Sequence, residues 1–234
     1  MWTDKEGLIT YIQSLREKGK TIDLSHQVIG NMDLRHENLS HINWEWTDFQ
    51  SVVLEGADFT GSNLKNTKFS AHTNLRGARF TNADLQGAAF RYCDLTGAHM
   101  EGANVRRANF EFAGMDGITS NEETKFFRLY CPETGPILGY KKCCNDRIVQ
   151  LLIPADAKRT SATGPSCRCN MAKVLTIKSF DCTESFDEAW SLVDPDFVYR
   201  VGQWVEVWNF NEDRWMDSTT GIHFWLTRQE AIDY

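Results

Sequence analysis

The stretch DAKRTSATGPSCR, residues 156–168, brings Lys158, Arg159 and Arg168 together with the hydroxyls of Ser161 and Thr163 and the flexible Gly164. Cationic side chains beside hydroxyl and backbone donors are the ingredients of an anion site for a phosphate or a nucleotide. The glycine and lysine spacing of a phosphate-binding P-loop is missing, so the motif alone specifies no ligand. Further along, Tyr199, Arg200, Ser218, Thr219, His223 and Glu230 would form a polar cluster if their strands aligned. His223, the sole histidine in this half, would be the acid or base of any such site. A histidine at a strand end is, as a rule, packed and hydrogen-bonded instead.

Thiols are the second possible chemistry. Cys143 with Cys144 and Cys167 with Cys169 could supply four thiolates to a structural zinc, at about 2.3 Å each. Adjacent cysteines and a CxC are poor ligand geometry, because neighbouring side chains on a strand point to opposite faces. The expectation is therefore no cofactor, with zinc the alternative, and no histidine is placed to activate a catalytic thiol. Seven cysteines form an odd set in a chain of 234 residues, too long to need disulfide staples, which predicts free thiols and a cytoplasmic location. The N-terminus is charged throughout and no apolar run reaches membrane-spanning length, so neither a signal peptide nor a span is expected.

Charge refines the picture. A net charge of −7 opposes generic nucleic-acid binding. Residues 141–178 carry Lys141, Lys142, Arg147, Lys158, Arg159, Arg168, Lys173 and Lys178 against two acids, whereas residues 181–217 are strongly acidic. The two stretches either neutralise one another by packing together or leave a basic anion site.

The elements that position these residues are announced by an internal period. A large apolar residue recurs every five positions from Leu24 to Phe69, and, after one six-residue step through SAHTNL, from Leu75 to Met115. Two positions earlier stands a small residue, as in Ala57, Ala83 and Ala98, and Asp or Asn commonly follows it. Residues five apart lie about 140° from one another on a helix and on opposite faces of a strand, so neither element buries this set. If each unit forms one side of a square, twenty residues close a turn, with large residues stacked on large, small on small, and coils about 4.8 Å apart. Asn, Asp and Gly suit the corners.

Units such as ADF, SNL, ADL and CDL resemble the pentapeptide-repeat family, whose signature is A(D/N)LXX. The resemblance implies a right-handed quadrilateral β-helix of about five coils over residues 22–118. Residues 1–21 are expected to cap it as a helix, with Thr3 and Glu6 as capping box and Leu8, Ile9, Ile12 and Leu15 as apolar face. The extra residue near Ala71, His72 and Thr73 should bulge from a corner.

Some members of that family mimic DNA, which demands rows of carboxylates on one face. Here the rows are mixed: Asp58 stacks towards Arg79 and His99, and Asp48 towards Lys68 and Ala89. Five histidines, His26, His36, His41, His72 and His99, lie on the coil, and His26, His36 and His41 fall at corners on different faces, which argues against a shared metal. Trp46, Tyr92 and Phe112 lie at outward or corner positions, where large aromatics mark an interaction surface.

Beyond Met115 the period stops. KFFRLYC, GPILGYKK, RIVQLLI, KVLTIKSF and VYRVGQWVEVW read as strands, while SFDEAWSLV and TRQEAIDY read as short helices, the second begun by a Thr227–Glu230 capping box. This predicts an α+β domain over residues 119–234. DRWMDSTTGIHFWLTRQEAIDY, with VYRVGQWVEV and KRTSATGPSCR, resembles an uncharacterised domain found beside pentapeptide repeats in phage and gut-bacterial proteins.

The functional expectation is a non-enzymatic interaction protein, phage-encoded, whose rigid coil binds or inhibits a host or defence protein in the host cytoplasm. The alternatives are a DNA-mimic inhibitor of a DNA-binding enzyme and a nucleotide-binding, anion-binding or enzymatic C-terminal domain. The partner's identity and the oligomeric state are not legible in the residues.

Overall fold

In the computed structural model, which describes residues 1–234, the five-residue period becomes parallel pairing between successive turns of chain. Ile22 pairs with Ile42, Val28 with Asp48, Asp33 with Val53 and Asn38 with Asp58, a step of twenty each time. Across the insertion the step is twenty-one, as in Val53 with Asn74 and Asp58 with Arg79, and it returns to twenty at Asn74 with Asp94. Short strands β1 (Ile22–Asp23), β2 (Val28–Gly30), β3 (Ile42–Asn43), β4 (Asp48–Gln50) and β5 (Lys68–Phe69) mark the more regular sides. The others pair through single residues.

Periodicity and packing agree inside the coil. Leu34, Trp44, Phe59, Leu85, Phe90 and Leu95 are fully buried, as are the small residues Ala57, Ala88 and Ala98. Phenylalanines of successive turns lie face to face, with ring centroids 5.5 Å apart for Phe59–Phe80 and 4.9 Å for Phe69–Phe90. Hydroxyls at the small position donate to a carbonyl of the preceding turn at Thr47, to Leu24 at 2.8 Å, and at Thr67, to Trp44 at 2.9 Å.

The corners explain the remaining letters of the repeat. The residue two after a centre takes a left-handed backbone, at His26, His36, His41 and Trp46 as at Gly56 and Gly61, and at the insertion His72, three after Phe69, takes that role. The Asp or Asn before the centre accepts from the N–H two residues on, Asp58 from Thr60 at 2.9 Å and Asp94 from Thr96 at 3.0 Å, which tightens the same bend. Stacking couples the corners. A Cβ on Gly61 would stand 2.6 Å from the His41 ring one turn below, so that ring fills the space a side chain at Gly61 would need.

The coil extends further at both ends than the apolar period does. Trp2 pairs with Ile29, with its N–H bonded to the Val28 carbonyl. Helix α1 (Lys5–Glu17) then buries Leu8 and Ile12, and Arg16 donates to the carbonyls of Asn38 and Ser40. Its N-cap is Asp4, which accepts from the N–H groups of Glu6 and Gly7; the Thr3–Glu6 capping box does not form. The ladder tie at Trp2 holds the chain extended, and the helix begins one residue later. At the other end His99 pairs with Thr119 and Asn104 with Lys125, past residue 118. Polar groups replace the apolar centre there: Thr124 Oγ1 donates to the Met100 carbonyl, and Asn121 accepts from the Gly102 N–H. This unit spans Met1–Arg128.

The second unit, Leu129–Tyr234, is mainly β. Its strands are β6 (Ile137–Cys143), β7 (Arg147–Ile153), β8 (Arg159–Ser161), β9 (Cys167–Cys169), β10 (Met171–Ser179), β11 (Glu188–Trp190), β12 (Val198–Arg200), β13 (Trp204–Glu206) and β14 (Ile222–Phe224), with helix α2 (Arg228–Asp233). An antiparallel sheet β13-β10-β7-β6, a sheet β14-β9-β8 and a hairpin β11-β12 result, and a bridge between Tyr140 and Trp225 ties β6 to the end of β14. Val149, Leu151, Val174, Ile177, Cys167, Cys169 and Phe224 form the core.

Three expectations change. Residues 126–131 form no strand, residues 156–168 fold into the β8-β9 hairpin, and SFDEAWSLV contributes strand β11 rather than a helix. Ala189 fills the core there, and pairing with β12 satisfies a backbone that a helix would have had to satisfy alone. The domain thus has one short helix, α2, begun by the Thr227–Glu230 capping box.

Candidate functional site

In hairpin β8-β9 the basic side chains go to different tasks. Lys158 forms an ion pair with Glu212 at the surface. Arg159 turns inward, donating through Nη2 to the Gly135 and Ala155 carbonyls, while its Nε and Nη1 are buried without a hydrogen-bond partner. Ser161 is buried and its hydroxyl accepts from the Tyr130 N–H at 2.7 Å. Thr163 is buried. Arg168 is 2% exposed and donates to the carbonyls of Asn211, Thr220 and Asp213, so its donors face a protein loop.

The second set of predicted residues is divided. Tyr199 lies in the core, where burial pushes its phenol well above the usual value. Its neighbour Arg200 points outward to Glu188 across the β11-β12 hairpin, 3.2 Å away. His223 is the cross-strand partner of Arg168, with Nε2 3.1 Å from the Thr219 carbonyl. Arg168 and His223 are therefore brought together, whereas Lys158 and Arg200 each face a carboxylate of their own.

Burial lowers the His223 pKa below its ordinary 6.5, outweighing the bond to Thr219. The folded state then holds the neutral ring while the unfolded chain takes up a proton, so stability falls as pH drops through 6.5. Melting temperatures measured across mildly acidic pH should show this slope, and His223→Gln should flatten it. An unchanged slope would assign the effect to other groups.

The cysteines are all free, and no group of three or more His, Cys, Asp or Glu is placed to hold a metal ion. Cys144 donates to the Ser191 carbonyl. Burial pushes the Cys143 and Cys169 thiols up to about 12, so both stay protonated. The four cysteines weighed for zinc do not converge, and Cys167 instead meets a residue that the spacing did not single out, Cys131. The two thiols lie in one buried cluster and shift each other's titration, and the Cys167 thiol donates to the Pro165 carbonyl at 3.8 Å. Lys141, buried with its ammonium held below its usual pKa by desolvation, also gave no signal in the spacing, because a lysine on an alternating strand reads as solvent-facing.

On the coil, Tyr92 and Phe112 occupy one corner of consecutive turns and stack with centroids 4.7 Å apart and rings 6° from parallel. His72 continues the column at 6.1 Å from Tyr92. The Arg91 guanidinium lies 5.0 Å from the Tyr92 centroid and 5.5 Å from that of Phe112, and is fixed by Glu111 at 3.2 Å. Tyr92 is 40% and Phe112 50% exposed. Trp46, equally exposed, stands in another column, where its N–H bonds the Lys65 carbonyl. Several acids of the coil are engaged with bases: Lys65 with Asp84, Arg76 with Asp94, and Arg35 with Asp33.

Residues 33–66 and 72–114 match the family of pentapeptide repeats. The N-terminal unit is built of pentapeptide repeats. Residues 127–231 match a family of unknown function (DUF5758), which is the uncharacterised domain expected beside them. Among solved structures the chain is similar to the pentapeptide-repeat protein Rfr23 of the cyanobacterium Cyanothece 51142, with 22% identity, a TM-score of 0.43, and coverage of 50% of this chain and 97% of that one. It is also similar to a pentapeptide-repeat protein of the Arabidopsis thaliana thylakoid lumen (28% identity, TM-score 0.35, 37% of this chain and 60% of that one). A third is QnrB1, a plasmid-mediated fluoroquinolone resistance protein (18% identity, TM-score 0.22, 45% and 73%). No curated protein matches the chain. No helix is long and apolar enough to cross a membrane.

Proposed function

We propose that this protein is a non-enzymatic binding protein whose pentapeptide-repeat unit presents the His72–Tyr92–Phe112 column to a protein partner. The unit is read as a right-handed quadrilateral β-helix of about five coils capped by α1. The single observation that carries the binding function is the exposed, ordered aromatic stack braced by Arg91 and Glu111. Exposed aromatics already held in place lose little conformational entropy when a partner covers them, which is why aromatic and arginine side chains dominate interface energetics. Both residues also hold left-handed backbone, with φ of 61° at Tyr92 and 57° at Phe112, where Gly or Asn would be less strained. Retaining bulky aromatics at such corners opposes stability, as a binding surface would.

The resemblance of the C-terminal passage to phage and gut-bacterial sequences makes bacterial host and defence proteins the first partners to screen, in a cytoplasm where the thiols stay reduced. The test replaces Tyr92 and Phe112 with Asn, which tolerates the corner backbone. Retention of a partner recovered by pulldown should fall at least about tenfold, with the melting temperature unchanged or raised. Equal recovery by the Asn variant would sink the assignment of this column.

A further inference from the structure

We propose that Cys131 and Cys167 are an oxidisable dithiol, in which Cys131 reacts with a hydroperoxide and Cys167 resolves it to an intramolecular disulfide. The strands place the parts. Ser161 and Cys167 are directly opposed in the β8-β9 hairpin, and the bond from the Tyr130 N–H to Ser161 Oγ brings the next residue, Cys131, against that pair. Tyr130 is held a second time by its hydroxyl, which donates to Glu230 at 2.7 Å. Cys131 and Cys167 consequently share one buried cluster close enough to shift each other's titration, while the Cys167 thiol also reaches the Pro165 carbonyl at 3.8 Å.

Two arginines with unspent donors lie near enough to act on this sulfur through space. Arg159 acts on Cys131 through space, and Cys131 in turn acts on Arg214. Arg159 Nε and Nη1 and Arg214 Nε are buried with no hydrogen-bond partner. Buried guanidinium N–H groups normally find an acceptor, and leaving three unpartnered is costly unless a negative charge forms beside them. A thiolate at Cys131 supplies that charge. Hydrogen bonding from Cys167, against burial, holds Cys131 below the ordinary thiol value, and the same bond together with burial pushes Cys167 up. One sulfur is thus the nucleophile and the other the proton donor, the division of labour that thiol oxidation requires.

The steps balance. The Cys131 thiolate attacks one peroxide oxygen and the O–O bond breaks, leaving a sulfenic acid and hydroxide, with sulfur oxidised and peroxide reduced. The Cys167 sulfur then attacks the sulfenic sulfur, the S–O bond breaks, and the departing oxygen leaves as water with the Cys167 proton. The product joins the irregular segment around Tyr130 to strand β9. Cys131 is 1% exposed, so only a small oxidant enters.

The test uses the whole chain carrying Cys182→Ser, which removes the exposed thiol. After hydrogen peroxide near neutral pH, the expected result is a mass decrease of two hydrogens, a tryptic cross-link between the peptides containing Cys131 and Cys167, and reversal by dithiothreitol. Cys167→Ser should instead leave a dimedone-reactive sulfenic acid at Cys131. Should either variant fail to fold, the cross-linked peptide in the Cys182→Ser chain decides. A disulfide between another pair, or both thiols still open to alkylation after peroxide and unfolding, would overturn the proposal.

Discussion

Phe90→Ala should destabilise the repeat unit by about 3–5 kcal/mol, the largest single effect expected in the coil. Phe90 is fully buried and touches aromatic neighbours on three sides: Phe69 below at 4.9 Å, Phe110 above at 5.3 Å, and Phe80 edge-on at 5.7 Å. Removing the ring opens a cavity between two stacked planes that a stiff ladder cannot close by collapse. Each turn contacts only its neighbours, so the loss should be local before it is global. Hydrogen exchange should show lost protection in the turns containing Phe69 and Phe110, with less change near α1. Phe90→Leu, which keeps most of the volume, should cost well under half as much. A Phe90→Ala variant that melted like the parent would mean that the stack contributes little beyond filling space.

That column was legible in advance for a physical reason. Every side of the coil faces the same four constraints: a large group inside, a small one beside it, an Asp or Asn to bend the chain, and a left-handed corner. Nineteen repetitions of one constraint set leave a signal that no composition effect imitates. The signal stopped at Met115 while the coil continued to Lys125, because Thr124 and Asn121 close the last turn with hydrogen bonds rather than with an apolar centre. The second unit repeats nothing, and what could be read were its long strands β6, β7 and β10, the segment that holds β12 and β13, and helix α2 with its capping box. Hairpin β8-β9 is three residues per strand and rich in polar groups, so it resembled a loop. SFDEAWSLV has helix-forming residues, and only pairing with the next strand, β12, makes it a strand. The Cys131–Cys167 pair was invisible because the residues lie 36 positions apart and meet through a backbone bond at Tyr130. For the anion-site reading, the residue types suit negative charge, and the structure adds that carbonyls of the protein itself occupy the donors of Arg168.

Arg168→Met follows from that last point and separates two uses of one guanidinium. Nη1 donates to Asn211 at 2.8 Å and to Thr220 at 3.0 Å, Nη2 donates to Asp213 at 2.9 Å, and the group lies 5.5 Å from the Phe210 ring centroid. These partners belong to residues 208–221, a connection between β13 and β14 with no regular strand to satisfy its own carbonyls. Methionine fills much of the volume but leaves three acceptors without their donor, a loss of about 2–4 kcal/mol. Lysine should not rescue it, since a compact ammonium cannot span carbonyls held by a planar fork. Both variants should show faster exchange and proteolysis within residues 208–221, together with a lower melting temperature. If Arg168 served an external anion, the pattern would invert: Arg168→Met would keep its melting temperature and its protected loop while losing protection by added phosphate. The three carbonyl bonds predict the first pattern, and with it the assignment of Arg168 to holding the loop.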